Sequence, residues 1–125
     1  DFLRILDSCP PESAVLHCFT ASRNVMERAA ARGYGISFSG IVTFKNARDL
    51  HALAAEVPDA NLLVETDAPY LAPVPHRGQL CEPRMIAATV RQLAALRDTS
   101  DEKIAEWTRS NARRVFQIAD DPPEG

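Results

Sequence analysis

The chain has 125 residues, 46% of them hydrophobic and 25% charged, and a formal net charge of −3 from 14 Lys+Arg against 17 Asp+Glu. That is the balance of an ordinary soluble globular domain. It excludes a basic coat for nucleic acid, so any phosphate contact has to come from a few local cations. No apolar run approaches the roughly 20 residues that span a bilayer.

The opening "DFLRILDSCPPE" carries Phe2, Leu3, Ile5 and Leu6 on one side of a helix. There is almost no room before them for a helix start, so the expectation is a helix cut partway along, in the later part of a longer protein. "SAVLHCF", Ser13 to Phe19, is short, apolar and β-prone and predicts a strand buried on both faces. Ser22 can cap a helix with Val25, Met26, Ala29 and Ala30 on its apolar stripe, ended by Gly33. "YGISFSG", Tyr34 to Gly40, is the second predicted strand. Thr43 to Val57 is the next helix, broken by Pro58 and Asp59, and "ANLLVET", Ala60 to Thr66, is the third strand. A loop with Pro69, Pro73 and Pro75 follows. Pro83 suits the first turn of a helix with Ile86, Val90, Leu93 and Ala94 inward. Thr99 and Glu102 have capping-box spacing for a last helix to about Phe116, with Ile104, Trp107 and Val115 inward. Residues 120–125 read as a disordered tail beyond a single domain of residues 1–119.

Alternating strands and helices predict an α/β fold with a parallel sheet. The compact repeats suit a β/α barrel or a doubly wound sheet. Three strands cannot close a barrel, which takes eight strands and about 250 residues. The expectation is therefore a partial TIM-type (β/α)8 barrel, its last three parallel strands with flanking helices.

In both architectures the working face lies at the carboxyl ends of the strands. His17 closes the first strand, Ser37 and Ser39 the second, Glu65 and Asp67 the third. Glu65 and Asp67 share a face in extended chain. A His and an Asp at neighbouring strand ends make a plausible pair of metal ligands. Barrel loops after the last strands often bind phosphate, and here such a loop carries His76 and Arg77, with Lys45 able to approach from the second helix. The bland alternatives are a hydrogen-bonded core histidine for His17, a turn residue for Asp67 and solvated charge for Arg77, His76 and Lys45. The three cysteines, Cys9, Cys18 and Cys81, include no C-x-x-C pair and read as reduced cytosolic thiols. On a strand, His17 and Cys18 would face opposite ways, which argues against a dyad and for Cys18 in the core. No G-x-G-x-x-G, P-loop or G-x-S-x-G motif is present.

"LHCFTAS", "GYGISFSGIVTFKNA", "LLVETDAPYLAPVPHRG" and "SNARRVF" together resemble the second half of the TatD-type metal-dependent deoxyribonucleases, which are amidohydrolase-like barrels. The resemblance implies a cytoplasmic hydrolase that cuts DNA phosphodiester bonds, often from the 3′ end. It implies divalent metal ions (Mg, Mn or Zn), two in the intact enzyme. By that pattern His17 and Asp67 are metal ligands, and Asp67 also helps activate the attacking water. Glu65 is a supporting group behind the ligands, and His76 and Arg77 lie on a substrate-side loop; the reading of the strand ends and the second helix adds Ser39 as a further supporting group and Lys45 as a further substrate-side residue. Gln79 and Cys81 depart from the family's usual Lys and Asn. The family's early His-x-His pair, a glutamate ligand and a further histidine would precede residue 1. These 125 residues alone are then expected to be a poor enzyme, with exposed sheet edges that invite association. The other readings are a related barrel hydrolase acting on amide or ester bonds, and a non-catalytic chain that binds a partner or assembles.

Overall fold

The computed structural model of the chain describes residues 2–119, so the predicted tail at 120–125 lies outside the described residues. The elements are α1 (Phe2–Ser8), β1 (Val15–Leu16), α2 (Arg23–Ala31), β2 (Gly35–Phe38), α3 (Arg48–Glu56), β3 (Leu62–Val64), α4 (Ile86–Leu96) and α5 (Asp101–Phe116). Three short 3-10 turns, Gly40–Thr43, Asp59–Asn61 and Pro83–Met85, connect them. The strands form one parallel sheet in the order β1-β2-β3, with Leu16 opposite Ile36 and Ile36 opposite Leu62. This is the expected partial barrel.

The register explains the core. Leu16, Ile36 and Leu62 make one cross-strand row, with Phe38 and Val64 two residues further along the same face. That face packs on Met26 and Ala29 of α2, Leu50 and Leu53 of α3, Leu93 of α4 and Ile104 of α5. Phe19 meets Phe38 edge to face, with centroids 5.9 Å apart. The opposite face carries Val15, Gly35, Ser37 and Leu63, and leads toward Glu65. β1 and β3 each have one strand neighbour among the described residues.

Several boundaries differ from the sequence expectation. β1 stops at Leu16, because His17 and Cys18 form a turn in which Cys18 takes φ +48°. The chain rejoins β2 one step later, where the Phe19 amide donates to the Ser37 carbonyl at 2.9 Å. Cys18 is therefore half-buried in a turn rather than part of the core. The helix expected from Thr43 begins at Arg48, since Gly40–Thr43 is a 3-10 turn that rests against the Leu71–Pro73 segment. The cap of α5 is Ser100, whose hydroxyl accepts from the Lys103 amide at 3.2 Å. Thr99 is engaged otherwise, its amide closing α4 on the Ala94 carbonyl. In α1, Leu6 is buried while Phe2 and Ile5 are exposed.

The polar run at the end of α5 is structural. Asn111 is buried and its Nδ2 donates to the Asp59 and Leu62 carbonyls at 2.6 and 2.9 Å. Arg114 donates to the Gly33 and Ala60 carbonyls at 3.1 and 2.7 Å. These bonds pin the amino ends of β2 and β3, opposite the end where His17 and Asp67 lie.

Candidate metal centre

Three side chains converge at the carboxyl end of the sheet. His17, Glu65 and Asp67 each offer one ligand atom, and these atoms lie within 4.8 Å of one another. Donors on opposite sides of a single ion stand ~4.2 Å apart at a bond length of ~2.1 Å, so the cluster is nearly at coordination size.

Local structure produces this convergence. The Glu65 amide donates to the Phe38 carbonyl at 3.0 Å, which carries the β2–β3 ladder one residue past β3. Glu65 and Asp67 then project from the end of the strand. Asp67 starts a turn in which its carbonyl accepts from the Tyr70 amide at 2.8 Å. On the other side, the turn at Cys18 aims the Cys18 amide at Glu65.

Glu65 is held at both oxygens. Oε1 lies 3.2 Å from His17 Nδ1, and Oε2 accepts from the Cys18 amide at 3.0 Å. The carboxylate side chain is only 18% exposed, whereas that of His17 is 71% exposed. A carboxylate can only accept here, so neutral His17 carries its proton on Nδ1 and presents the Nε2 lone pair outward. Asp67 accepts no hydrogen bond at its carboxylate among the described residues. Its charge, after burial, helps push the Cys81 thiol up from its ordinary value. One imidazole nitrogen and carboxylate oxygens suit a divalent cation of the Zn, Mn or Mg kind. His17 and Asp67 would hold it and Glu65 would orient His17, with further positions filled by water or by groups outside these residues.

The remaining candidates are placed as follows. Ser39 is buried and stands beside the cluster instead of in it. Its Oγ accepts from the Ile41 amide at 3.4 Å and lies 3.4 Å from Cys18 Sγ. Arg77 is exposed, its guanidinium stacked 3.9 Å from the centroid of the Phe44 ring. The His76 amide donates to the Pro73 carbonyl at 2.6 Å, and its imidazole helps hold Glu82 below the usual carboxylate range, a shift due first to Arg84. Lys45 is exposed beside Phe44, with no hydrogen bond or ion pair to another described residue. An open cavity of about 530 Å³ along the sheet face is lined by His17, Ser37, Leu63, Glu65 and, from α5, Arg109 and Phe116. The Cys18 amide and Arg109 escaped the sequence reading. A backbone donor leaves no residue-type signal, and Arg109 is one cation among several on an exposed helix face.

The chain is a partial β/α barrel that brings a histidine and two carboxylates together at its strand ends, a donor set that fits a divalent cation. The chain belongs to the TatD related DNase family, whose pattern it matches over residues 1–117. It is 48% identical over 104 residues to the uncharacterized metal-dependent hydrolase YcfH of Escherichia coli K12, covering 83% of this chain and 39% of that protein. It is 43% identical over 108 residues to the uncharacterized metal-dependent hydrolase TatD of Mycobacterium tuberculosis, covering 86% and 41%. The crystal structure of the Escherichia coli TatD homolog YJJV superposes with a TM-score of 0.83 at 29% identity, over 94% of this chain and 45% of that one. The TatD family hydrolase of Entamoeba histolytica shares the fold, with a TM-score of 0.72 at 18% identity, over 82% and 42%. The chain thus spans about two fifths of the length of the curated relatives it matches.

Proposed function

We propose that this chain forms part of a metal-dependent hydrolase that cleaves DNA phosphodiester bonds from the 3′ end once the rest of the barrel is present. The observation that carries the reading is the His17–Glu65–Asp67 convergence at the carboxyl ends of the strands, in a chain of the TatD related DNase family. A bound divalent cation would supply Lewis acidity toward a phosphoryl oxygen and acidify water. His17 and Asp67 would hold that cation, Glu65 would lock the imidazole, and Arg77 would offset phosphate charge. The open flank of β1 is where further strands of a barrel would add. A groove of about 510 Å³ there is lined by Phe2, Leu6, Val15, Leu16, Phe19 and Val25, surface that stays wet until another part of a barrel, or a second copy, covers it. On this reading the 125 residues alone turn over poorly, because two ligands rarely hold a catalytic metal. No helix among the described residues is long and apolar enough to cross a membrane. Free thiols at Cys9, Cys18 and Cys81 favour a reducing, cytoplasmic setting.

The test is hydrolysis of a 3′-labelled DNA strand by the barrel-complete protein, with chelator and with Asp67→Ala. Activity that needs metal and disappears in the variant supports the reading. Full activity in Asp67→Ala overturns the mechanism. Turnover of amide or ester substrates in place of DNA overturns the substrate assignment.

A further inference from the structure

Arg77 differs from most arginines of this chain. Arg23, Arg28, Arg32, Arg84 and Arg97 each face a carboxylate. Arg77 has neither ion pair nor hydrogen bond among the described residues, and only the Phe44 ring beneath it. One guanidinium face is covered and the other, with the donor fork, is left to solvent. Glu82, the acid five residues on, is occupied by Arg84 at 2.5 Å and does not neutralise Arg77.

Tyr70 is the second unusual group. It is 70% exposed, three residues after Asp67, in the turn closed on the Asp67 carbonyl. Its phenol has no partner among the described residues. Tyr70, Phe44 and Arg77 line one open pocket of about 410 Å³.

The walls of that pocket are fixed. Thr43, immediately before Phe44, accepts from the Val74 amide at 2.8 Å and donates to the Gly40 carbonyl at 2.6 Å. The Cys81 amide donates to the Pro69 carbonyl at 2.9 Å, which closes the loop bearing Tyr70 and Arg77. Gly40 lies so close under Leu71 and Pro73 that a Cβ there would overlap the Leu71 carbonyl. The aromatic rings and the cation are therefore presented by two loops tied to each other, at little ordering cost on binding.

We propose that Tyr70 and the Phe44–Arg77 stack form one nucleotide subsite, with Arg77 taking a phosphate and Tyr70 stacking on a nucleobase. Phe44 is a positioning residue that holds the guanidinium plane. The chemistry follows from the parts: an unpaired guanidinium fork matches phosphate bidentately, and an exposed ring beside it offers a π-face of the kind that single-stranded nucleic acid uses. The proposal rests on the nuclease reading for its ligand, and its test is independent of turnover.

The experiment is equilibrium binding of a fluorescent oligodeoxynucleotide to this chain by anisotropy, at low salt with chelator present. An abasic oligomer of equal length and charge is measured beside it. Tyr70→Ala is expected to weaken the native oligomer roughly 5- to 150-fold, the range for loss of one stacked base. It should leave the abasic oligomer unchanged, and Tyr70→Trp should restore the native affinity. Phe44→Leu and Arg77→Lys should weaken both oligomers. Tyr70 is on the surface, so its variants fold. Equal affinity for the two oligomers, indifference to Tyr70→Ala, or no binding of either overturns the subsite. Tyr70-dependent binding in a protein whose completed barrel does not cleave DNA would overturn the nuclease reading alone. DNA cleavage with affinity indifferent to Tyr70→Ala would overturn the subsite alone.

Discussion

Glu65 joins His17 to the backbone of the neighbouring residue: one carboxylate oxygen is 3.2 Å from His17 Nδ1 and the other is 3.0 Å from the Cys18 amide. Both partners are donors, which only a carboxylate satisfies in this geometry. Glutamine offers one acceptor and one amino group, so Glu65→Gln has to set its NH2 against either the imidazole Nδ1–H or the amide N–H. The expected outcome is a shift of neutral His17 away from the Nδ1–H tautomer, seen in long-range ¹H–¹⁵N spectra. Metal affinity of the barrel-complete protein should fall about 10- to 100-fold, the usual cost of removing a group that orients a ligating histidine. An unchanged tautomer and unchanged affinity would leave Glu65 with no orienting role.

That relationship was half legible in the sequence. Glu65 and Asp67 stand two apart after "LLV", which places them on one face of a strand end, and the apolar runs around Ile36 and Leu62 announce buried strands. What the residues do not spell out is that Cys18 turns into the left-handed region and sends its amide toward Glu65. That depends on Phe19 rejoining β2 at Ser37, a tertiary contact. The start of α3 was hidden for a similar reason. Residues 43–47 have helix-compatible composition, but the Thr43 hydroxyl and Gly40 are committed to the Leu71–Val74 loop. At the α5 cap, Thr99 with Glu102 has capping-box spacing, but the Thr99 amide is used to end α4 and the Ser100 hydroxyl takes the cap one residue later. Phe44, Tyr70 and Arg77 meet only because two loops are tied together, which no local pattern encodes.

Gly40 is the tightest point of that tie. A Cβ there would overlap the Leu71 carbonyl and reach Pro73 N at 3.0 Å, both backbone atoms that cannot swing aside. At Gly35 the obstacle is the end of the Leu63 side chain, which can change rotamer. Gly40→Ala should therefore cost ~1–3 kcal/mol in urea unfolding, the range for overpacking a filled site. It should also displace residues 71–74 and lower substrate affinity. Gly35→Ala should cost less and leave the loop in place. A reversed order would mean that the loop, and not the strand, yields freely.

Asn111 offers a test of where the "SNARRVF" run acts. Its amide nitrogen bonds two backbone carbonyls at the amino end of β3, away from the metal cluster. Asn111→Leu removes both donors; the Asp59 carbonyl keeps the Leu62 amide, so the loss falls mainly on the buried bond to the Leu62 carbonyl. The expected loss is ~1–3 kcal/mol in denaturant titration, as for other unsatisfied buried acceptors. At temperatures where the variant stays folded, metal affinity should be unaltered. A selective loss of metal binding without destabilisation would move Asn111 from scaffold to site.

α1 is tied down by ion pairs as well as by burial. Only Leu6 is buried in it, while Asp7 bonds Arg28 and lies 2.8 Å from Arg32 at the end of α2. The hydrogen bond from Arg28, and then the charges of Arg28 and Arg32, outweigh desolvation and hold the Asp7 carboxyl below the usual carboxylate range. A carboxyl depressed in the folded state stabilises at every pH above its unfolded value, and that contribution is lost as pH falls through the folded value. Asp7→Asn should thus loosen α1 at neutral pH, read as reduced helical chemical shifts over Phe2–Ser8. Acidification should loosen the parent chain until the two coincide, while Asp7→Asn stays flat across the same interval. Added salt should narrow the gap at neutral pH, since the three side chains are partly exposed and screened. If the parent and Asp7→Asn differ equally at acid and neutral pH, the ion pairs do not hold the helix, and its docking rests on Leu6 alone.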